Sequence, residues 1–303
     1  MRSLSSVTAM CVDTLNHAQA LLACGRMLRL GFFEVVLVTD ESVQAFLPAY
    51  RSIAERIRIV TIPPIMGRVA YSQFMLNEAV DHVRTDHVLI FQWDGFAISP
   101  AHWWPGFLDY DYVGAPWPLS FVNDACLVGN GGFSLRSRKL MNAVRMLEPR
   151  FGNLEEDRVI CTALGPRLEQ EFGVRFAPVE VAKYFSVEHR FETDGRPFTH
   201  VSRWGTFGFH AFWNFHLAFT DEELLHTVDT LMLPSVRADM LTRWDAVALL
   251  GNLEQQGRFG LRAELARRMA EALGLSDAHT VEPDPVIALV MERAWARARG
   301  DVG

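Results

Sequence analysis

His87-Val88-Leu89-Ile90-Phe91-Gln92-Trp93-Asp94-Gly95 is the stretch that decides the fold. The run His87–Gln92 is short, largely apolar and strand-forming, and it stops at an acid followed by glycine. A continuous apolar run of this length reads as a strand covered on both faces, as in parallel sheets. Its neighbours toward the N-terminus repeat the pattern. Val7–Val12 ends in Asp13-Thr14, a good helix N-cap, and apolar residues recur at helical spacing from Leu15 to Leu30, where Gly31 closes the helix. Val35–Val38 ends in Thr39-Asp40. Ile57–Ile62 is stopped by Pro63-Pro64, and Ser72–Val83 is again helical. Strands alternating with helices predict an α/β fold, a mostly parallel central sheet flanked by helices. Ligands of such sheets sit beyond the carboxyl ends of the strands, where Asp13, Asp40 and Asp94 all fall. Asp is also common at strand-to-helix turns; that plain explanation suffices for Asp40, is weaker for Asp13 and weakest for Asp94.

Toward the C-terminus the pattern turns irregular past Trp103-Trp104, rich in aromatics, Gly and Pro through Pro118. Val128–Arg136 is glycine-rich and strand-like. Ser137 caps a helix to about Leu147, a further helix is predicted from about Glu155 to Glu171, and Val174–Pro178 reads as a strand. From about Asp221 the chain is helical, dominated by Leu, Ala and Arg, with a break near Pro283–Pro285. Ala246–Leu275 resembles one helix-turn-helix unit turning at Gly257-Arg258, a single copy that supports no repeat array. The expected division is a catalytic domain over 1–220 and a helical C-terminal region over 221–303.

The whole chain sets limits on its partners. Its 303 residues, half of them hydrophobic, suffice for a sizeable core. A net charge of −7 argues against a nucleic-acid partner, which needs a clustered basic surface. Arg262, Arg267 and Arg268, with Arg293, Arg297 and Arg299, alternate with Ala, Glu and Met as on a solvated helix face. Cys11, Cys24, Cys126 and Cys161 show no CxxC pairing, and buried free thiols are expected. Neither a signal peptide nor an apolar run of membrane-spanning length is present, so the expected location is the cytoplasm, with peripheral contact to the inner face of a membrane compatible with it.

Four places carry candidate chemistry, each with a structural alternative. Asp94 beside Gly95 can hold a hard divalent cation, Mn²⁺ or Mg²⁺, with a nucleotide's phosphates; a turn acid is the alternative. In Val128-Gly-Asn-Gly-Gly-Phe-Ser-Leu-Arg136 the glycines admit close backbone approach, and Asn130 offers a donor and an acceptor to sugar hydroxyls; a tight turn between strands would look the same. No Lys-Ser/Thr phosphate loop and no GxGxxG occurs. Glu155-Glu156-Asp157 opens a helix, where carboxylates are favoured by the dipole and can also take a proton. His210, in Gly205-Thr-Phe-Gly-Phe-His210, is either a satisfied core histidine or a ligand.

In this order the motifs resemble the GT-A glycosyltransferases. Within them the chain is most similar to a little-characterised bacterial glycosyltransferase domain family carrying Gln-x-Asp-Gly, Gly-Asn-Gly-Gly-Phe-Ser-Leu-Arg, Glu-Asp and Gly-Phe-His. The resemblance covers roughly residues 7–215, and Tyr112-Val-Gly-Ala-Pro-Trp117 supports it. It implies transfer of a sugar from a nucleotide-sugar donor, a UDP-sugar foremost, to a hydroxyl of a carbohydrate or glycoconjugate, with inversion and a divalent metal. It implies Asp94 and His210 as metal ligands, and Asp157 as catalytic base with Glu156 beside it. Donor-binding residues would be Asp13, Thr14, Asp94, Asn130, Gly131 and Gly132. Trp103, Trp104 and Trp117 are candidate acceptor platforms, with aromatic packing as the alternative for each. Gln92 stands where the family's first metal-motif acid would be, so weaker metal binding or metal independence stays open. Retaining transfer and a non-catalytic sugar-binding or scaffold role also stay open, the last with the C-terminal helices as the working surface and a surface for homo-oligomers. A phosphohydrolase using Asp94 would want further carboxylates just after it, where Gly95-Phe96-Ala97 stand instead.

Overall fold

The structure is a computed structural model describing residues 3–118, 127–147, 152–189, 205–229 and 244–272. The chain divides into two compact units, Met1–His210 and Ala211–Gly303.

The first unit is built on a six-stranded sheet in the order β3-β2-β1-β4-β8-β5. β1 (Val7–Val12), β2 (Glu34–Thr39), β3 (Arg58–Thr61) and β4 (His87–Phe91) run parallel. β8 (Phe133–Ser137) lies antiparallel to β4 and to β5 (Tyr112–Val113), while β6 (Ala115–Pro116) and β7 (Val128–Gly129) form a separate antiparallel pair. Every residue of β1 is buried, because both faces are covered. Met10, Val12, Val36, Val38, Val88 and Ile90 point to one face and meet Phe74 and Met75 of α3 (Gly67–Asn77) and Met141 of α4 (Arg138–Met146). Residues of the opposite parity, among them Ala9, Cys11 and Leu37, take the other face, and α1 (His17–Met27) packs on β1 and β2. The mostly parallel, helix-flanked α/β sheet expected from the sequence is therefore present. Cys11, Cys24 and Cys161 are buried free thiols, and Cys126 lies outside the described residues.

Three segments differ from expectation. The helix expected over Ser72–Val83 starts at Gly67 and ends at Asn77, and a 3₁₀ turn, Ala79–His82, follows it. The helix expected from about Glu155 to Glu171 is interrupted: α5 (Glu156–Arg158) runs into a π turn, Val159–Ala163, and α6 (Gly165–Phe172) starts afresh. Pro166 has no N–H to give and crowds the preceding turn, so the chain widens and Leu164 N donates to Val159 O at 2.8 Å. Val174–Pro178 forms only a bridge, Phe176 to Tyr112, held by Asp111 N to Arg175 O (2.8 Å) and Ala177 N to Tyr112 O (2.9 Å). Pro178 cannot extend that ladder and instead opens α7 (Val179–Phe185), a helix the sequence pattern did not announce.

In the second unit a 3₁₀ turn, Phe212–Leu217, packs on the helix Trp244–Gln255. α8 (Asp221–Thr227) begins with a capping box between Thr220 and Glu223. Trp244–Gln255 and Phe259–Ala272 pack on each other, with Gly257 at φ +70° in the expected turn. The break near Pro283–Pro285 and Arg293, Arg297 and Arg299 lie outside the described residues. Among those described, no helix is long and apolar enough to cross a membrane.

Candidate active site

Parallel pairing brings the ends of β1, β2 and β4 to one edge, and with them Asp13, Asp40 and Asp94. Asp40 caps the following turn, accepting from Ser42 N at 2.7 Å and facing His17 Nε2 at 3.2 Å. Past β4 the chain turns sharply, Gly95 N donating to Gln92 O at 3.1 Å, which leaves Asp94 at the bend. β8 runs the other way: Phe133 pairs with Phe91, so the segment just before β8 arrives at the same edge. That segment is Asn130-Gly131-Gly132. Asn130 sits at φ +93°, a conformation that side chains other than glycine adopt at a cost of about 1–3 kcal/mol. Its Oδ1 offsets this by accepting from Gly132 N (2.8 Å) and Phe133 N (3.0 Å), and its carbonyl accepts from the Tyr112 hydroxyl (2.9 Å). Asn130 Nδ2 is buried and makes no hydrogen bond of good geometry, but it lies close enough to the Glu188 carboxylate to help keep it ionised.

β9 (Ser186–Val187) and β10 (Gly208–Phe209) form a short parallel pair, and one residue past each stand Glu188 and His210. His210 N donates to Val187 O at 3.0 Å. The next residue, Ala211, is held at φ +75° and ψ 138°, a second strained position beside the site. His210 Nδ1 lies 2.9 Å from Glu188 Oε1. Its Nε2 lies 3.2 Å from Gln92 Oε1 and 3.6 Å from Asp94 Oδ1. Gln92 Nε2 donates to the Tyr71 hydroxyl at 3.0 Å, which turns the amide oxygen toward His210. Asp94 Oδ1 is buried with no hydrogen-bond partner. The loop fits against this group so closely that a Cβ on Gly132 would overlap the His210 ring.

The charges around this group are out of balance. Burial lowers the proton affinity of His210, but Asp94 and Glu188 outweigh it and raise its pKa to about 9. Burial raises Asp94 above the usual carboxylate range although His210 pulls the other way. Burial also works to raise Glu188, yet His189 and His210 hold it down to about 2. The edge thus carries more negative charge than it solvates and favours a positive partner. An amide oxygen, a carboxylate oxygen with no hydrogen bond and an imidazole nitrogen that would give up its hydrogen on metal binding converge there, a donor set compatible with a hard divalent cation. Among the described residues no group of three or more His, Cys, Asp and Glu is arranged to hold a metal ion; the third donor here is the Gln92 amide.

The acidic helix start divides its roles. Asp157, half-buried by surface area yet ringed by protein at longer range, accepts from Gly131 N (Oδ2, 2.9 Å) and Arg158 N (Oδ1, 2.8 Å). Burial, then the neighbouring carboxylates Glu156 and Glu188, push it up to about 7. Glu156 turns away into the core, where its Oε1 meets Arg136 Nη2 at 3.1 Å with both side chains buried. A Cβ on Gly131 would overlap the Glu156 carboxylate, so the ion pair underlies the glycine loop. Glu155 points outward and pairs with Arg68 at 2.9 Å.

Of the remaining expected residues, Asp13 caps its own turn, with Oδ1 accepting from Leu15 N (2.8 Å) and Asn16 N (2.7 Å). Thr14 Oγ1 is committed to the backbone of Ile65, accepting from its N at 3.0 Å. Trp117 is buried, its ring where a Cβ on Gly129 would be, so it packs and presents no open face. Trp103 packs edge-on to Phe107 (5.5 Å) and Phe207 (5.1 Å). Trp104 is 52% exposed, the one broad open ring of the three. Glu188 and Tyr71 were not foreseen. Ser186–Val187 is too short for strand periodicity to announce, and Tyr71 falls just outside the expected helix start.

No curated protein matches the chain. Among solved structures, glucosyl-3-phosphoglycerate synthase from Mycobacterium tuberculosis, in complex with Mn²⁺, uridine diphosphate and glucosyl-3-phosphoglycerate, aligns at 14% identity and a TM-score of 0.32 over 45% of this chain. The chain spans 57% of that synthase's length. A nucleotidyl transferase from Methanothermobacter thermautotroptrophicus aligns at 16% identity and a TM-score of 0.36, covering 58% of this chain and 89% of its own. The 4-diphosphocytidyl-2C-methyl-D-erythritol synthase of Anaerococcus prevotii aligns at 12% and 0.36, covering 56% and 86%. Likeness at this level carries no argument about chemistry. A family model, by contrast, matches residues 56–210. That span is more than half of the chain and holds Tyr71, Gln92, Asp94, the glycine loop, Glu156, Asp157, Glu188 and His210, and on it the chain belongs to the family described as protein of unknown function, DUF5672.

Proposed function

We propose that this chain is a glycosyltransferase that moves a sugar from a nucleotide-sugar donor to an acceptor hydroxyl with inversion. The observation that supports this reading most is the convergence of Gln92 Oε1, Asp94 Oδ1 and His210 Nε2 against the glycine loop that also binds Asp157. The three donor atoms would hold a divalent cation, Mn²⁺ or Mg²⁺, whose contribution is to neutralise charge growing on the departing diphosphate. Asn130, whose buried side-chain amide lies beside the Glu188 carboxylate, would offer its NH₂ to a sugar hydroxyl or phosphate oxygen, and Gly131 and Gly132 let the donor approach the backbone. Asp157 takes the acceptor's proton as the acceptor oxygen bonds to the anomeric carbon, and the bond from that carbon to the diphosphate oxygen breaks on the opposite face. A carboxyl with a pKa of about 7 is suited to this, since it is partly ionised at neutral pH and a strong enough base to hold the proton. Trp104, open to solvent, is the acceptor platform of this reading, with a carbohydrate or glycoconjugate as acceptor.

The test is a thermal-shift panel of UDP-, GDP-, CMP- and dTDP-sugars with and without Mn²⁺, followed by donor hydrolysis. Ligand at 100 times its Kd stabilises the folded state by about 2.7 kcal/mol, so one nucleotide series, UDP first, should raise the melting temperature, and more with metal. Asp94→Asn should abolish the metal-dependent part of the shift. A flat panel with no hydrolysis would reject the enzyme in favour of a non-catalytic role.

A further inference from the structure

We propose that Glu188 is a positioning residue, which fixes the ring and tautomer of His210 so that Nε2 faces the cation site; the inference rests on the reading of that edge as a cation site. The geometry is built in two steps. Parallel pairing of Val187 with Phe209 sets the residues that follow them, Glu188 and His210, side by side at the end of a two-strand ladder. The backbone bond from His210 N to Val187 O then locks the register. In that register Glu188 Oε1 stands 2.9 Å from His210 Nδ1. An ionised carboxylate accepts and does not donate, so the Nδ1 opposite it carries the hydrogen. The other nitrogen, Nε2, is directed at Gln92 Oε1 and Asp94 Oδ1. Without metal it too carries a hydrogen, which the amide oxygen accepts. A cation would displace that hydrogen and take the Nε2 lone pair while Glu188 keeps the hydrogen on Nδ1.

The second carboxylate oxygen is held as well. His189 Nε2 lies 3.5 Å from Glu188 Oε2, so Glu188 is braced between two imidazoles and its side chain is largely covered. On the far side of the ring, a Cβ at Gly132 would overlap His210, so the ring has no room to flip toward the loop. Gln92 is oriented in the same manner by Tyr71. Two of the three converging donors thus carry an outer partner that fixes which atom they present. Outer partners of this kind are worth about 10–100-fold in metal affinity. A purely structural Glu188 would stabilise the β9–β10 end without influencing which nitrogen of His210 is protonated.

The experiment reads Glu188→Gln and Glu188→Ala in the full chain, with His210→Ala and Asp94→Asn as controls. Its first arm is ¹⁵N NMR of the imidazoles of the metal-free protein at a pH above the His210 value of about 9, where the ring is neutral and one nitrogen alone carries the hydrogen. Wild type should show His210 with Nδ1 protonated and hydrogen-bonded. Glu188→Gln, whose amide oxygen still accepts, should keep that signature, and Glu188→Ala should lose it. The second arm is Mn²⁺ affinity by electron paramagnetic resonance. Glu188→Ala should weaken it about 10–100-fold, Glu188→Gln by less, and both less than Asp94→Asn. An unchanged His210 signature in folded Glu188→Ala overturns the proposal, even in a protein that takes no Mn²⁺. Wild-type Mn²⁺ affinity in Glu188→Ala, with Asp94→Asn impaired, also overturns it while leaving the cation site standing. Mn²⁺ binding absent from the wild type would instead reject the cation site, and the imidazole arm alone would then decide for or against Glu188.

Discussion

Asp157 and Glu156 are adjacent in sequence and face opposite tasks. A helix turns each residue by about 100°, and that rotation sends Asp157 to the glycine loop and Glu156 to Arg136. The raised pKa of Asp157 has two consequences of known sign. As a base it works only when ionised, so kcat/KM should rise with pH through about 7 and then level off. For stability, the folded state holds this proton more tightly than the unfolded chain does, where an Asp titrates near about 3.9. Stability is therefore lost as pH rises from about 4 to about 7, and the penalty persists above. Asp157→Asn removes it. We expect this variant to lose about 10²–10⁴-fold in turnover while keeping donor affinity, and to melt a few degrees higher than wild type at pH 8 but not at pH 4. A flat pH profile, a retained anomeric configuration or near wild-type turnover in Asp157→Asn would each remove it as the base.

At the scale of elements, the antiparallel turn of β8 is what assembles the site. A fifth parallel strand would have left Asn130-Gly131-Gly132 at the opposite edge of the sheet; reversed, β8 delivers the loop beside Gln92 and Asp94. The loop is then clamped from two sides, by His210 against Gly132 and by the Arg136–Glu156 pair beneath Gly131. Gly132→Ala should push the His210 ring out of place, with at least a tenfold loss of Mn²⁺-dependent donor binding by calorimetry and an unchanged circular dichroism spectrum. Glu156→Gln should act on stability instead. Removing one partner of a buried pair leaves an uncompensated charge and costs about 3–5 kcal/mol, to be read by urea unfolding. If Glu156→Gln unfolds like wild type yet loses turnover, Glu156 belongs to the chemistry and not to the foundation of the loop.

For the molecule as a whole, every residue placed in the proposed site falls within the compact unit Met1–His210. A separate chain of residues 1–210 is therefore expected to bind donor within a few-fold of the full chain, with the same metal dependence, by thermal shift and calorimetry. A folded 1–210 chain that binds no donor would assign part of the site to the helical region. The helix Phe259–Ala272 carries Arg267 and Arg268 paired with Glu264 and only partly exposed, and Arg262, 12% exposed, reaches Glu254 at 3.4 Å, so the face expected to be solvated is in part covered.

The alternation of buried strands with helices, the acids at strand ends, the Ser137 cap and the Gly257 turn were all legible in the sequence. Each rests on local pattern: covered strands need unbroken apolar runs, and helix ends need caps. The edge chemistry was legible in part. Asp94, Asn130, Asp157 and His210 are marked by their company of glycines and aromatics, but nothing in the order of residues tells Asp157 from Glu156, or the packed Trp117 from the open Trp104. Arg136 lay in plain view within a motif without a role. Glu188 and Tyr71 left no trace, since a two-residue strand has no period and a hydroxyl that orients an amide needs no motif. What the sequence alone determined was which segments form strands and helices, because that depends on neighbours along the chain. Which carboxylate meets the loop, which pairs in the core and which orients a histidine was decided by tertiary structure, because strand direction and register join residues as far apart as Gln92 and His210.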